Sequence, residues 1–253
     1  MAEILAITNQ KGGVGKTTTS LNLGVGLIRS GKRVLFVDVD PQCSLSYIMQ
    51  GDSSQVTVQE LLLRQATAEQ AIQKTPEGDL IAASPGLSSM DLVLNQMGKE
   101  YRMREGLASI AGQYDYIIID SPPSLDVLTV NTLTAASQVI VPALADIFSL
   151  QGVGQLYSTI QAVKTYCNPN LRILGILLTR HTDRYILNRG MRELLEDTAK
   201  EIDSRVFRSS VREAVVLREA QAARQSIFSY APKSKQAEDY QAFVEEFLLL
   251  QGK

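Results

Sequence analysis

The sequence predicts a single α/β domain over residues 1–253, with a mostly parallel, twisted sheet that helices cover on both faces. Short apolar runs with the length of buried strands alternate along the chain with segments of helical length. This alternation is typical of parallel sheets, because parallel neighbours need a long crossover that is usually a helix. Since no repeat, low-complexity tract or linker interrupts the pattern, we expect one domain.

The composition narrows the possible classes of function. The hydrophobic fraction of 45% supports a sizeable core, and the net charge of -2 means that nucleic acid could bind only through a local basic patch. Cys43, Cys167 and the single histidine, His181, lack the spacing of a zinc site, so we expect two free thiols. An apolar run begins directly after residue 3 and no run reaches the length of a membrane span. We therefore expect a cytoplasmic protein without a signal peptide.

The first apolar run, Ile4–Ile7, precedes a glycine-rich loop with the sequence N-Q-K-G-G-V-G-K-T-T from residue 9 to residue 18. A helical pattern follows, and strand, glycine-rich loop and helix in this order are typical of a phosphate-binding loop. Backbone N–H groups of such a loop surround phosphate oxygens, and the helix start adds a positive dipole end. Lys16 would contact the β- and γ-phosphates, and the Thr17 hydroxyl would ligate Mg²⁺. The predicted nucleotide contacts are Gly12, Gly13, Val14, Gly15, Lys16, Thr17 and Thr18.

Lys11 is unusual in such a loop. The common pattern G-x-x-x-x-G-K-[ST] has glycine where this chain has Gln10, and it lacks a second lysine. A second lysine is not needed to hold one nucleotide from one side. Lys11 makes physical sense if it reaches outward, toward a nucleotide that a facing subunit holds.

The segment K-G-G-V-G-K-T resembles the deviant Walker A motif of the ParA/MinD class of P-loop ATPases. The resemblance extends from Ile4 to about Phe247. It implies a P-loop NTPase fold, slow Mg²⁺-dependent ATP hydrolysis and an ATP-dependent homodimer. Lys11 of each subunit would then act as a catalytic residue on the other subunit's ATP.

Aspartates end two further apolar runs. One run ends at Asp38 and continues to Asp40, and the other, Ile117–Ile119, ends at Asp120. Functional groups of parallel sheets cluster where the strands end, and Asp120 has the place of a Walker B carboxylate that holds Mg²⁺. The resemblance implies that Asp40 orients the attacking water and that Asp38 supports the metal shell or the loop. Asp38 could instead only cap its turn.

The chain after residue 179 is rich in arginine, with acidic residues interleaved. Residues 179–184 and 211–220 resemble segments with which ParA-type proteins contact DNA without reading its sequence, although Val216 stands where some relatives carry a basic residue. A solvated helix face with ordinary ion pairs is the alternative. By resemblance, the DNA contacts are Arg184, Arg212, Arg218 and Arg224.

The last motif, S-I-F-S-Y-A-P-K-S at residues 226–234, resembles a family segment near the adenine, which places Pro232 at the base. Together these motifs resemble the Soj-like DNA-partition branch: a nucleoid-associated ATPase that a ParB-like partner stimulates. The alternative is a MinD-like positioning ATPase on a membrane. That function needs a terminal amphipathic helix with a basic face, whereas the predicted helix Lys235–Leu250 carries Glu245 and Glu246. We therefore expect no membrane partner.

Overall fold

A computed structural model describes residues 1–94, 96–181 and 186–252, without the side chains of residues 186–189. Strands and helices alternate through most of this range. The strands are Glu3–Ile7 (β1), Val34–Asp38 (β2), Ile72–Thr75 (β3), Gly78–Ile81 (β4), Tyr116–Asp120 (β5), Gln138–Ala143 (β6), Arg172–His181 (β7) and Val206–Arg212 (β8). The helices are Lys16–Arg29 (α1), Ser44–Ile48 (α2), Val58–Leu62 (α3), Ala68–Ala71 (α4), Met90–Val93 (α5), Arg102–Leu107 (α6), Val127–Ala135 (α7), Ile147–Tyr166 (α8), Ile186–Glu201 (α9), Val215–Ala222 (α10), Ile227–Tyr230 (α11) and Lys235–Leu250 (α12).

The strands form one eight-stranded sheet in the order β3-β4-β2-β5-β1-β6-β7-β8. All neighbours are parallel except β3 and β4, which form an antiparallel edge hairpin. The register pairs Ile7 with Asp120 and Asp38 with Asp120. The carboxyl ends of β1, β2 and β5 therefore meet at one place on the sheet edge, and the predicted α/β fold class is confirmed.

Each central strand is buried on both faces. Phe36 packs in one core with α1 and α12, while its neighbours Leu35 and Val37 pack in another core with α3 and α6. Helix α1 lies very close to the sheet, because a Cβ added at Gly24 would come 2.1 Å from Cε1 of Phe36. This close approach sets the position of α1, whose first residue is Lys16.

Helix α12 has the predicted bounds, and its apolar side faces the core. Tyr240, Phe243 and Phe247 are almost fully buried, and Phe243 makes an edge-to-face contact with Phe207 of β8. This packing occupies the stripe that a membrane-binding helix would expose. Throughout the described ranges, each helix is too short or too polar to cross a bilayer.

The sequence prediction was incomplete at both edges of the sheet. The apolar run Leu80–Ala83 predicts a strand, whereas β4 is Gly78–Ile81, and no run of this kind predicts β3 or β8. The sequence T-V-Q-E at residues 57–60 predicts a capping box. The structure confirms it, because the Glu60 carboxylate accepts a hydrogen bond from the Thr57 N–H at 2.9 Å. Edge strands carry weaker apolar signals than central ones, which explains these omissions.

Candidate functional site

The loop between β1 and α1 has the backbone shape of a phosphate cradle. Gly13 and Gly15 have φ values of 74° and 85°, in the left-handed region that favours glycine. A Cβ added at Gly12 or Gly13 would meet nothing within 4 Å, so open space adjoins both residues. The N–H groups at the start of α1 complete an anion-binding geometry.

Two buried polar side chains fix this loop against the sheet. The amide Nδ2 of Asn9 donates to the Pro142 carbonyl at 2.8 Å, and its Oδ1 accepts from the Lys11 N–H at 3.0 Å. The Thr179 hydroxyl lies 2.8 Å from the Val14 carbonyl oxygen and 3.2 Å from that of Ala143. The sequence analysis quoted both side chains within motifs but assigned them no role. Their contacts join residues far apart in the chain.

A cavity of about 900 Å³ opens in front of the loop. Its walls include the loop itself, the segment after β2, and α10. Of the predicted nucleotide contacts, Gly12, Gly13, Gly15, Lys16, Thr17 and Thr18 line this cavity. Val14 is instead fully buried, and Pro232 is exposed and outside the cavity lining. The predicted contact between Pro232 and adenine therefore gains no support from this arrangement.

Lys16 is a buried ammonium next to this cavity. It is 7% exposed, and its Nζ is 3.4 Å from the Lys11 carbonyl oxygen. Burial lowers the pKa of Lys16, while the charges of Asp120 and Asp40 act in the opposite direction. A buried cation with one long hydrogen bond is suited to receive phosphate oxygens.

Thr17 and Asp120, the predicted Mg²⁺ ligands, meet at the start of α1, and their role as ligands stays a prediction. The Thr17 hydroxyl donates to Oδ2 of Asp120 at 2.7 Å, and the Ser20 hydroxyl lies 2.8 Å from Oδ1. Burial, with a further contribution from Asp38, raises the pKa of Asp120 to about 7. A hydroxyl and a buried carboxylate at this distance form the kind of oxygen ligand set that Mg²⁺ accepts.

Hydrogen bonds from neighbouring residues fix both oxygens of the Asp38 carboxylate. Its Oδ1 accepts from the Asp40 N–H at 3.1 Å, and its Oδ2 accepts from the N–H and hydroxyl of Ser46 at 2.8 and 2.7 Å. Burial raises the pKa of Asp38 to about 6. These bonds favour the role of supporting the loop, and a direct part in the metal shell stays a prediction.

Asp40 is 9% exposed and lines the cavity. Its Oδ1 accepts from the Gln42 N–H at 2.9 Å, and Asp38 holds its backbone N–H. The carboxylate is thus fixed at one oxygen while its side chain faces the cavity. That geometry suits a group that orients a water molecule.

Lys11 lies in the first half of the loop between β1 and α1, and its Nζ is 2.5 Å from Oδ2 of Asp146. The same Nζ is 5.6 Å from the ring centroid of Phe148. Both partners belong to the first turn of α8 or its cap. The predicted reach of Lys11 to a facing subunit stays a prediction.

The arginines predicted to contact DNA have different surroundings. Arg184 lies outside the described residues. Arg212 places its Nε 2.9 Å from Oδ2 of Asp239, and Arg224 donates from Nε to the Tyr47 carbonyl at 2.7 Å. Arg218 is exposed on α10 and lines the rim of the cavity. No ion pair to Arg218 is found in the described part of the chain, so Arg218 is the most accessible of the described candidates.

Comparisons with known proteins agree with this geometry. A family model described as an AAA domain (AAA_31) matches residues 2–173. The chain is 38% identical over 252 residues to the sporulation initiation inhibitor protein Soj of Bacillus subtilis, covering 97% of this chain and 98% of Soj. It is 41% identical over 222 residues to the chromosome partitioning protein ParA of Caulobacter vibrioides, covering 85% of this chain and 80% of that protein. The chain belongs to the ParA/Soj family of P-loop ATPases.

A solved structure is also similar to this ParA/Soj family member. It is cobyrinic acid a,c-diamide synthase from Mycobacterium smegmatis with bound ADP and magnesium. The TM-score is 0.86 at 36% sequence identity, covering 100% of this chain and 96% of that chain. The open cradle at Gly12 and Gly13, the buried Lys16 and the Thr17–Asp120 pair fit the same kind of ligand.

Proposed function

We propose that this ParA/Soj family member is a Mg²⁺-dependent partition ATPase whose ATP-bound form dimerises and binds DNA without reading its sequence. A ParB-like partner would stimulate hydrolysis and so release the DNA, in the cytoplasm and on the nucleoid. The observation that carries the proposal is the convergence of Lys16, Thr17 and Asp40 on one cavity, with the buried Asp120 carboxylate bonded to the Thr17 hydroxyl directly behind it. The names of the Bacillus and Caulobacter relatives support the link with partition.

Each residue of the site has a distinct task. Lys16 binds the β- and γ-phosphates, while Thr17 and Asp120 hold Mg²⁺. Bound Mg²⁺ neutralises the charge that develops on phosphate oxygens during hydrolysis. Asp40 orients the attacking water, because the hydrogen bond from Gln42 fixes its carboxylate. Slow turnover follows if the site is incomplete until the facing subunit and the partner protein have bound.

Exposed apolar side chains support dimerisation at the carboxyl edge of the sheet. Leu125 is 40% exposed after β5, and Ile147 and Phe148 are 50% and 67% exposed after β6. Phe148 also lies beneath Lys11, the residue expected to reach the facing subunit. Large apolar side chains next to a functional charge are typical of a protein interface.

Helix α10 provides a physical route from nucleotide to DNA. Gln221 of α10 donates from Nε2 to the Thr18 hydroxyl at 2.7 Å, and Arg218 lies one turn earlier on the same helix. A nucleotide that contacts Thr18 therefore acts directly on the helix that carries Arg218. This contact supports ATP-dependent control of DNA binding.

The test is retention of the purified protein on DNA with ATP, with ADP and without nucleotide, at low and high salt. We expect retention only with ATP, on unrelated sequences alike, and weaker at high salt because phosphate contacts release counterions. Arg218→Ala should reduce retention while ATP binding stays unchanged. Arg33→Ala serves as the matched control. Arg33 has a side chain that is 60% exposed and directly precedes β2, at the amino end of this strand and away from the nucleotide cavity. Equal retention by both variants would overturn the role of Arg218, and no retention of the wild type would overturn the DNA function.

A further inference from the structure

A second cavity, of about 370 Å³, lies between α3, α4 and α6. It shares no lining residue with the nucleotide cavity. Arginine, amide and hydroxyl side chains dominate its polar lining. These side chains are Arg64, Gln65, Thr67, Gln70, Arg102 and Ser109, together with Glu105.

Arg102 is the unusual member of this lining, because it is only 8% exposed. Its Nη2 donates to Oε1 of Gln96 at 3.0 Å, a neutral acceptor. Its Nε is shielded from solvent and has no hydrogen-bond partner among the residues that the structure describes. No carboxylate of the described residues forms an ion pair with Arg102. A buried cation normally has an anionic partner, since burial without one is unfavourable.

The other charges of the cavity neutralise one another. Arg64 has its Nη2 at 2.5 Å from Oε2 of Glu105, so this carboxylate is already paired. Arg64 has a φ of 57°, the left-handed conformation that is uncommon for residues other than glycine. In this conformation the Arg64 side chain reaches Glu105 on α6. Next to the cavity, Glu69 accepts hydrogen bonds from the lining hydroxyls of Ser109 and Thr67. Arg102 is therefore the cation of the lining that has no carboxylate partner among the described residues.

We propose that this cavity binds a small anion with a carboxylate or phosphate group, and that Arg102 is its principal contact. A guanidinium donates paired hydrogen bonds to either group, and the side-chain amides of Gln65 and Gln70 in the lining can donate to the remaining oxygens. The volume lies at the small end of the range for ligand pockets, which suits a compact metabolite rather than a nucleotide. The site is independent of the proposed partition function, since it uses none of the nucleotide residues.

NMR of the ¹⁵N-labelled full chain tests this directly through the arginine Nε–H signals. The protein is first saturated with ADP and Mg²⁺, so that added phosphate cannot report on the phosphate-binding loop. Sodium phosphate or citrate is then titrated against sodium chloride of equal ionic strength. We expect the Arg102 signal to shift saturably with a dissociation constant of about 1 mM or tighter. The Arg33 signal, whose Nε already donates to Asp115, should not move.

The responses to the two oxyanions distinguish the chemical source. A shift with phosphate alone identifies a phosphate ligand, a shift with citrate alone identifies a carboxylate ligand, and either result supports the site. A wild-type Arg102 signal that neither oxyanion moves overturns it. Calorimetry with Arg102→Lys, which keeps the charge but loses the planar fork, should show binding weakened at least tenfold, an energy of about 1.4 kcal/mol. Unchanged affinity would also overturn the assignment.

Discussion

The ammonium of Lys11 and the carboxylate of Asp146 form an ion pair, with Nζ 2.5 Å from Oδ2. The other oxygen of Asp146 caps α8, accepting from the Ser149 N–H at 2.7 Å. The second lysine of the phosphate-binding loop is therefore held by the same chain's α8. If Lys11 acts on the facing subunit's nucleotide, this ion pair must break when the dimer forms.

Asp146→Asn should favour the ATP-bound dimer. Asparagine keeps the helix cap but removes the charge that holds Lys11. A partly exposed ion pair contributes roughly 0.2–1 kcal/mol, and two such pairs break per dimer, so half-dimerisation should need roughly two- to thirtyfold less protein. Sedimentation velocity with ATP, in an Asp40→Ala background that slows hydrolysis, measures this shift. Dimerisation that is unchanged or weaker, in a variant with an unchanged melting temperature, would contradict the idea.

Asp40→Ala should separate ATP binding from hydrolysis. The Asp40 side chain contributes no group to the phosphate cradle, so affinity for ATP should stay within about twofold, while loss of a positioned carboxylate lowers the rate on the order of 10²-fold. Single-turnover hydrolysis and equilibrium binding on the same preparation give both values. Asp52→Ala, a carboxylate outside the cavity that bonds to Ser54, is the control. A variant that hydrolyses ATP at the wild-type rate would exclude Asp40 from the reaction.

The nucleotide-free, Mg²⁺-free protein should lose stability as the pH rises from about 5 to 8. Burial raises the pKa of Asp38 to about 6 and that of Asp120 to about 7, whereas both titrate near 3.9 in the unfolded chain. The folded state thus binds more protons in this window. This contribution is fully present below about pH 3.9 and is lost as the pH passes through 6 and 7.

Urea unfolding at several pH values measures that slope. In Asp120→Asn the slope between pH 5 and 8 should be clearly smaller, because one of the two titrating groups is gone. Saturating Mg²⁺ and ADP should also reduce it, since a bound cation stabilises the ionised carboxylate. An identical slope in wild type and Asp120→Asn would show that Asp120 does not titrate in this range.

Arg212→Ala should destabilise the fold, whereas Arg218→Ala should not. The Arg212 guanidinium bonds to Asp239, whose side chain is 11% exposed, and to the Lys235 carbonyl at 3.0 Å. Its removal leaves a largely buried carboxylate short of donors, which costs about 2 kcal/mol. Arg218 has no such partner among the described residues, so its loss should change stability by less than about 0.5 kcal/mol. Chemical denaturation of both variants measures their free energies of unfolding. Equal values would contradict the structural role of Arg212.

The nucleotide site could be predicted from the sequence because its residues are local and ordered. Lys16 and Thr17 lie within one loop, and Asp38, Asp40 and Asp120 directly follow or end apolar strands. Parallel strands bring these ends together without further information. The role of Thr179 could not be predicted in this way, because its contact with Val14 depends on how β7 lies beside β6.

The arginine-rich region was the hardest part to interpret. Residues 205–224 carry five arginines with Glu213 and Glu219 interleaved, and they divide into β8, a short connection and α10. β8 is an edge strand with few buried apolar residues, so its pattern gives a weak signal. The partner of Arg212 is Asp239, 27 residues later, and the partner of Arg224 is the Tyr47 carbonyl, 177 residues earlier. Sequence spacing does not reveal such tertiary pairs.

The close packing at Gly24 also limits which substitutions this position can tolerate. A methyl group there would clash with the fully buried ring of Phe36, at 2.1 Å from Cε1 and 2.2 Å from Cζ, so α1 would have to withdraw from the sheet to accept it. Such a shift would carry Thr17 away from Asp120, two turns of helix from the substituted position. A saturation mutagenesis scan selected for ATPase activity should therefore rank position 24 among the least tolerant, although its residue has no functional group.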